Sequence, residues 1–331
     1  MCLYPTQYRN RKYLKNKKNG GIIPPIFDSR TGWVPGNCGN CMECRKEKAR
    51  EWRLRLLEDI KTNTNGKFIT LTFSNEWYKE LHKITTERYK TYTPYEIDNE
   101  IATLAMRRFN ERWRKKFKKA IRHWTVTELG HNGTENIHLH GILWTDKDID
   151  EIKQIWKYGY TWPKSTMHAK EERIKGRYYV NDKTINYTTK YINKIDLKHK
   201  YYKSIILTSP GIGANYINSV NATLNQYKGK ETNLTYITKN GNKIAMPAYW
   251  KRKLYTEEER ERLWINKMDE DHRYVNGEKV SIKNGTEQYE KLIEWNRKIN
   301  KELGYRGNEI ENEKQKEEYK QRYKIQNKRI K

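Results

Sequence analysis

The clearest alternation of apolar and polar residues lies in the segment Asn136–Trp144, with the sequence NIHLHGILW. Its apolar residues alternate with His138 and His140, and successive side chains of a strand point to opposite faces. The stretch 131–134 before it (HNGT) is typical of a turn. This histidine strand is therefore predicted to lie near the centre of a sheet, with helices on its apolar face and two imidazoles side by side on the other.

Two kinds of periodicity predict the other elements. Alternation predicts strands, and apolar residues that recur every three or four positions predict helices. The predicted strands are residues 68–73, 123–128 and 204–209, and the predicted helices are residues 42–60, 94–119 and 185–194. Residues 123–128 precede the histidine strand closely enough to form an antiparallel hairpin with it. In a suitable register, Glu128 then shares a face with both histidines.

The cysteines lie near the N-terminus, in a stretch of Gly, Pro and basic residues that reads as an extended arm. All four occur within the first 44 residues, and three of them form a Cys-x-x-Cys-x-x-Cys motif. The sequence leaves two alternatives open, a structural zinc site completed by the first cysteine or simple reduced thiols. The four residues are Cys2, Cys38, Cys41 and Cys44.

Charge indicates the class of partner. The 331 residues carry a net charge of +27, and the basic excess extends over most of the chain. Such an excess favours a polyanion, with nucleic acid as the first candidate and a membrane surface as the alternative. The sequence has no apolar run long enough for a transmembrane helix and no signal-peptide core, so a cytoplasmic location without a membrane partner is expected. The last 30 residues are mostly charged and predict either an exposed helix or disorder.

A second candidate group lies in the predicted helix 185–194. Tyr187 and Tyr191 are four residues apart and share a helix face, with Lys190 and Lys194 beside them. A tyrosine hydroxyl is a poor nucleophile near neutral pH, because its ordinary pKa is about 10. A lysine and a metal-polarised phosphate would make its attack on a phosphodiester feasible. The alternative is an amphipathic helix that buries two tyrosines.

These motifs resemble those of HUH endonucleases, which are named for a His-hydrophobe-His triplet. The chain is more closely similar to the replication initiation proteins of gokushovirus-type microviruses, which are bacteriophages with circular single-stranded DNA. The resemblance covers residues 1 to about 220. It rests on MCLYP at residues 1–5, CGNCMECR at 38–45, FITLTF at 68–73, the triplet His138-Leu139-His140, and residues 187–194.

The resemblance implies an α+β fold of the RRM-like kind, with about five antiparallel strands and helices packed on one face. It implies nicking of single-stranded DNA at the phage origin through a 5′-phosphotyrosine, which leaves a 3′-OH primer for rolling-circle replication in the cytoplasm of a bacterial host. A host helicase and DNA polymerase are the further partners. By position, the implied metal ligands for Mg²⁺ or Mn²⁺ are His138, His140 and Glu128, the nucleophiles are Tyr187 and Tyr191 with Lys190 assisting, and Thr70, Thr72 and Lys194 contact DNA.

Three segments are predicted on this basis: an arm at 1–45, an endonuclease domain at 46–225, and a basic, partly helical or disordered extension at 226–331. Two alternatives remain open from the sequence. One is a transposase or relaxase of the same chemistry, and the other is a non-catalytic protein that binds single strands with its basic, aromatic surface. The sequence leaves undetermined the origin, the order of the two tyrosines and the oligomeric state.

Overall fold

The computed structural model describes residues 1–131, 135–175, 180–308 and 312–331, which form two compact units. The sheet unit comprises residues 52–215 and the C-terminal segment with residues 312–331. The cysteine unit comprises residues 1–51 and 216–308. Each unit combines stretches that are distant in sequence, whereas the predicted arm, domain and extension are continuous. That three-part division stays a prediction.

Strands and helices alternate irregularly along the chain. The strands are β1 (Thr6–Arg9), β2 (Trp33–Gly36), β3 (Gly66–Leu71), β4 (Arg122–Leu129), β5 (Ile137–Trp144), β6 (Thr161–Trp162), β7 (Ile206–Thr208), β8 (Thr235–Ile237), β9 (Lys243–Ala245), β10 (His272–Val275) and β11 (Glu278–Ser281). The helices are α1 (Met42–Thr62), α2 (Asn75–Arg88), α3 (Pro94–Phe117), α4 (Ile149–Trp156), α5 (Thr166–Ile174), α6 (Asp182–Asn193), α7 (Ala248–Leu254), α8 (Glu257–Asp269), α9 (Glu287–Glu302) and α10 (Glu313–Ile330). Among the helices that the structure describes, none combines the length and apolar character needed to cross a bilayer.

The sheet unit is built on an antiparallel sheet that has five strands in the described part of the chain, in the order β6-β3-β5-β4-β7. The histidine strand is β5, and it lies at the centre as predicted. Its hairpin with β4 is also confirmed, although residues 132–134 of the predicted turn lie outside the described residues. The mixed α and β composition and the five-stranded antiparallel sheet therefore follow the prediction.

The main hydrophobic core lies between the apolar face of the sheet and helices α2, α3 and α4. Leu139 and Leu143 of β5 are fully buried there with aromatic and aliphatic residues of all three helices. Helix α3 begins at Pro94 because Thr93 caps it and Glu96 completes a capping box. Helix α2, which is capped by Ser74, was not predicted from the sequence.

The opposite face of the sheet is also covered by helices, so the prediction that helices pack on one face is wrong. In the second half of α1, Trp52 packs against Trp124 of β4 at 5.9 Å between ring centroids. Helix α6 packs beside it and places Tyr187 against Phe68 of β3 at 6.0 Å. The physical reason is that β3 and β4 carry large aromatic residues on this face as well, and their burial requires a second helical layer.

The charged C-terminal segment forms helix α10 and packs against α2 and α3. Arg322 is 3% exposed, and its Nε donates to Oδ2 of the fully buried Asp98 at 2.8 Å. Arg329 donates to the carbonyl oxygen of Phe73 at 2.8 Å. Of the two alternatives for this segment, the structure shows the helix. Part of its charged surface is buried as ion pairs rather than exposed.

The cysteine unit consists of short antiparallel hairpins and helices. The hairpins are β1–β2, β8–β9 and β10–β11. Tyr216 stacks on Trp250 with 4.1 Å between the ring centroids, and Tyr236 completes this aromatic cluster. A second cluster surrounds the N-terminus, where Leu3 and Met42 are buried against the apolar side of α9. Both clusters join N-terminal and C-terminal stretches of the chain or residues of its C-terminal half.

Candidate functional site

The register of the central strands brings the predicted ligands together. Glu128 of β4 lies directly opposite His138 of β5, and Thr70 of β3 lies directly opposite His140. Residues paired across antiparallel strands have side chains on the same face, and so do residues two apart along one strand. The two histidines, the glutamate and the threonine therefore share the face that α6 covers. The register that the sequence analysis required of Glu128 is present.

The two imidazoles converge on one carboxylate. The Nε2 atoms of His138 and His140 lie 3.3 and 2.9 Å from Oε2 of Glu128. One ligand atom from each of the three side chains lies within 4.8 Å of the other two. Two imidazoles and one carboxylate form a donor set suited to a divalent cation, with coordination positions left for other ligands.

Hydrogen bonds at the far side of each ring orient this donor set. Nδ1 of His138 donates to the carbonyl oxygen of Asn136 at 3.0 Å, because a carbonyl oxygen can only accept. In the neutral ring, Nε2 then carries the lone pair and faces Glu128. Nδ1 of His140 contacts Oγ1 of Thr70 at 3.0 Å. Outer hydrogen bonds of this kind hold metal-binding histidines in position.

The pKa shifts favour the metal-binding forms of two of these groups. Burial lowers the pKa of His140 below its ordinary value, although the hydrogen bond with Glu128 opposes this effect. The neutral imidazole is therefore favoured. Burial raises the pKa of Glu128, but hydrogen bonds with His138, His140 and Lys194 outweigh it and hold the pKa well below its usual range. The carboxylate is thus ionised at neutral pH.

Helix α6 places both predicted nucleophiles over this group. The helix is capped by Asn181 and buries Ile185 and Ile192 against the sheet. The ring of Tyr191 stacks on His140, with centroids 4.4 Å apart and planes at 4°. The hydroxyl of Tyr191 lies 2.6 Å from that of Tyr187. The alternative that α6 simply buries its two tyrosines does not hold for Tyr187, which is 49% exposed.

The environment of Tyr191 works against its ionisation. Burial, the hydrogen bond to Tyr187 and the negative charge of Glu128 all raise the pKa of Tyr191. A phenolate at this position needs additional positive charge nearby. The donor set beneath the ring is a place where a cation would supply it.

The two lysines of the tandem motif differ in their contacts. Nζ of Lys194 forms an ion pair with Oε1 of Glu128 at 2.6 Å. It therefore belongs to the site, although the sequence suggested a contact with DNA. Lys190 is exposed, and its side chain makes no hydrogen bond or ion pair in the described structure. The assisting role predicted for Lys190 and the DNA contact predicted for Lys194 stay predictions.

The two threonines predicted to face DNA are both engaged inside the protein. Thr70 contacts His140, as described above. The hydroxyl of Thr72 donates to the carbonyl oxygen of Tyr160 at 3.0 Å and accepts from its N–H at 2.9 Å. These bonds hold the chain before β6 against the end of β3. Thr70 orients a histidine, a role that the sequence did not indicate, because the pairing depends on the strand register.

The four cysteines form a separate cluster in the cysteine unit. Cys2, Cys41 and Cys44 are buried and Cys38 is partly buried. Their sulfur atoms all lie within 4.8 Å of one another. Hydrogen bonds with the Cys41 and Cys44 thiols lower the pKa of Cys38, so this cluster releases a first proton readily.

A third group was not predicted from the sequence. His199 is buried, with Nε2 at 2.9 Å from Oε2 of Glu135 and Nδ1 at 2.6 Å from Oδ2 of Asp196. His131 lies near the same Asp196 oxygen at 3.8 Å. These residues are spread over 69 positions of the sequence without a recognisable spacing, so no sequence signal could have identified them.

Two comparisons with known proteins match the chain. The family model for the replication-associated protein ORF2 matches residues 66–196, which span β3 to the end of α6 and include the histidines, Glu128 and both tyrosines. The replication-associated protein ORF2 of Spiroplasma virus 4 is 25% identical over 306 residues, or 85% of this chain and 86% of the relative. No solved structure matches the chain significantly. The two matches support a role in phage replication.

Proposed function

We propose that this protein initiates rolling-circle replication of a single-stranded phage DNA by nicking and rejoining it through a tyrosine of α6. The observation that carries the proposal is the stack of Tyr191 on His140, which joins the nucleophile helix to the donor set of the sheet. The similarity to replication-associated proteins, including the one from Spiroplasma virus 4, supports the same conclusion. The fold and the motifs are consistent with the HUH class and with the gokushovirus-type initiators.

The residues present fit a divalent metal. His138 presents a lone pair to an ionised carboxylate, so three acceptor atoms face one point and no proton is available between at least two of them. Mg²⁺ or Mn²⁺ held by His138, His140 and Glu128 would polarise a phosphodiester oxygen and neutralise developing charge. Lys194 balances the second oxygen of Glu128 and keeps that carboxylate oriented toward the histidines.

The proposed reaction is a transesterification. The phenol oxygen of a tyrosine forms a bond to phosphorus, and the bond from phosphorus to the 3′ oxygen breaks. The tyrosine loses its proton and the departing 3′ oxygen gains one, so charge is conserved. The products are a 5′-phosphotyrosine and a free 3′-OH. In the reverse step, a 3′-OH attacks the phosphotyrosine and restores the phosphodiester without an energy source.

The two tyrosines are not equivalent in the structure. Tyr187 is half exposed, whereas Tyr191 is partly covered between the helix and His140. We expect Tyr187 to meet the incoming strand first and Tyr191 to serve the second transesterification. The net charge of +27 supplies the electrostatic attraction for the DNA backbone.

The test is a covalent-adduct assay. The protein is incubated with Mn²⁺ and the internally labelled, circular single-stranded genome that encodes it, and the products are separated on a denaturing gel. The intact protein should give a DNA band retarded by the mass of the chain. Tyr187→Phe/Tyr191→Phe should give no adduct while retaining DNA binding. Tyr323→Phe on α10, where the tyrosine is 55% exposed, is the matched control and should behave as the intact protein.

The alternatives give different outcomes in the same assay. Binding without any adduct in Mn²⁺ or Mg²⁺ would replace the proposal with a single-strand-binding role. An adduct on linear transposon-end or plasmid-transfer sequences but none on the phage genome would replace it with a transposase or relaxase. Each single Phe variant then shows which tyrosine forms the first adduct, because only that variant loses the first product.

A further inference from the structure

The N-terminal thiols belong to separate stretches of chain that the cysteine unit brings together. Cys2 lies four residues before β1, Cys38 and Cys41 flank a tight turn, and Cys44 lies in the first turn of α1. The turn requires Gly39, which has a φ of +73°, a conformation that L side chains rarely adopt. Thirty-five residues of arm separate Cys2 from Cys38, yet their sulfurs lie in one cluster.

Backbone N–H groups surround the sulfurs. Cys2 Sγ accepts from the N–H groups of Tyr4 and Cys38 at 3.4 and 3.3 Å. Cys38 Sγ accepts from the N–H of Cys41 at 3.3 Å, and Cys41 Sγ accepts from the N–H of Cys44 at 3.5 Å. Such bonds stabilise thiolates more than thiols, and the N-terminal end of α1 adds positive potential beside Cys41 and Cys44. The cluster is therefore built for negative sulfur.

The spacing of the sulfurs indicates the ion. Cys38 Sγ and Cys44 Sγ are 3.8 Å apart, and no sulfur pair exceeds 4.8 Å. Tetrahedral geometry with Zn–S bonds of ~2.3 Å separates neighbouring sulfurs by about 3.8 Å. A polynuclear iron–sulfur cluster needs thiolates farther apart, since its ligands bind different iron atoms. Hard cations such as Mg²⁺ prefer oxygen donors.

We propose that Cys2, Cys38, Cys41 and Cys44 bind one structural Zn²⁺. Four thiolates complete a tetrahedral shell, and the site is buried, so no position remains for substrate. This site is independent of the proposed nicking chemistry.

The proposed ion has a defined structural task, which is to fix the N-terminus to the C-terminal half of the cysteine unit. The carbonyl oxygen of Leu3 accepts from Nε of Arg297 on α9 at 2.9 Å. The N–H of Met42, at the start of α1, donates to Oδ1 of Asn300 at 2.8 Å. Because these contacts come from the residues that flank the ligands, zinc would hold both in register. Without it, the first residues are tied only by a few polar bonds and the burial of Leu3.

The test is metal analysis of the full chain purified under reducing conditions. We expect one zinc per chain by mass spectrometry of the metal content. Replacement by Co²⁺ should give the intense thiolate-to-cobalt absorption and the visible bands of a tetrahedral site. His138→Ala/His140→Ala should retain this zinc, which separates the proposal from the outcome of the nicking assay.

Two variants locate the ion. Cys41→Ser should lose the zinc, lower the midpoint of thermal unfolding by about 10 °C or more, and expose the N-terminal arm to trypsin. Met42→Leu, a buried neighbour that cannot bind zinc, should keep the metal. If Cys41→Ser does not fold, the cobalt spectrum of the intact chain decides. Absence of zinc together with absence of a thiolate–cobalt band overturns the proposal, and so does stoichiometric iron with sulfide.

Discussion

His140 and His199 are both buried, and each has Nε2 at 2.9 Å from a glutamate oxygen, yet their pKa values shift in opposite directions. Burial lowers the pKa of His140. Burial also acts to lower the pKa of His199, but hydrogen bonds with Asp196 and Glu135 outweigh it and raise the pKa above its ordinary value. The second nitrogen makes the difference: it meets a hydroxyl in His140 and a second carboxylate in His199.

The comparison separates a candidate metal site from an ion-pair network. The group around His199 contains its own cations, because Lys198 and Arg322 both form ion pairs with Glu135. Its histidine is favoured as the imidazolium, which has no lone pair for a metal. The group around His140 favours a neutral imidazole with a free lone pair. Three donor residues at close range are therefore not sufficient evidence for a metal, and the charge state of the ring decides.

Loss of the protein's own cation should have the largest effect. Arg322→Met leaves Asp98 and Glu135 without their shared partner, and an uncompensated buried charge costs about 3–5 kcal/mol of unfolding free energy. Urea denaturation measures this loss. Gln326→Met, which removes one hydrogen bond of the same helix to the carbonyl oxygen of Pro94, should cost only about 1 kcal/mol. Recovery of the Arg322→Met variant by added Zn²⁺ or Mn²⁺ would show that the His199 group binds metal after all.

Loss of the neutral imidazole should affect chemistry rather than stability. His140→Ala removes a proposed ligand and the surface on which Tyr191 stacks, so nicking should fall by about 10²- to 10³-fold. Gel assays of adduct formation at saturating Mn²⁺ measure it. His199→Gln is the matched control and should keep the nicking rate within about threefold while it loses stability. Equal losses of nicking in the two variants would contradict the distinction between the two groups.

The hydroxyl that orients His140 should have an intermediate effect. Thr70→Val keeps the shape of the side chain but removes the contact with Nδ1, and loss of such an outer partner costs about 10- to 100-fold in metal affinity or activity. The measurement is the Mn²⁺ concentration at half-maximal nicking. Thr72→Val removes a hydroxyl that contacts the chain at Tyr160 and leaves the histidine untouched, so its Mn²⁺ dependence should be that of the intact protein. A similar shift in both variants would count against the orienting role.

The raised pKa of His199 should produce the smallest effect, a dependence of stability on pH. A group whose pKa is higher in the folded state stabilises the fold fully below its unfolded pKa, which is about 6.5 for histidine. That stabilisation is lost as pH rises through the folded pKa. Between pH 6 and pH 8.5 the intact protein should therefore lose on the order of 1 kcal/mol more than His199→Gln. Asp196, Glu135, His131 and Lys198 face the ring and remain in both proteins. Parallel curves for the two proteins would refute the imidazolium.

Much of the sheet and part of the site could be predicted because the signals are local. Alternation identifies β5 and its exposed histidines, and the short hairpin limits where Glu128 can lie. The four-residue step between Tyr187 and Tyr191 fixes their common helix face. The order of strands and the central place of β5 follow from the resemblance, and the structure agrees with both.

Other features depend on contacts that no local pattern encodes. The second helical layer arises because Phe68 and Trp124 point away from the main core, which alternation alone reads as an exposed face. Thr70 was assigned to DNA because its partner, His140, lies 70 positions further along the chain. Arg322 seemed solvated, since a charged helix gives no sign that it pairs with a residue 224 positions earlier.

The interleaving of the two units has a consequence for biosynthesis. The sheet of the proposed nuclease leaves the ribosome long before α10, because residues 216–308, which belong to the other unit, are translated in between. Until α10 arrives, Asp98 lacks its buried counter-charge and the outer side of α2 and α3 is uncovered. The nascent nuclease unit therefore stays incomplete during most of translation. Ribosome stalling or early termination before α10 should yield fragments that proteases remove rather than a free nicking domain.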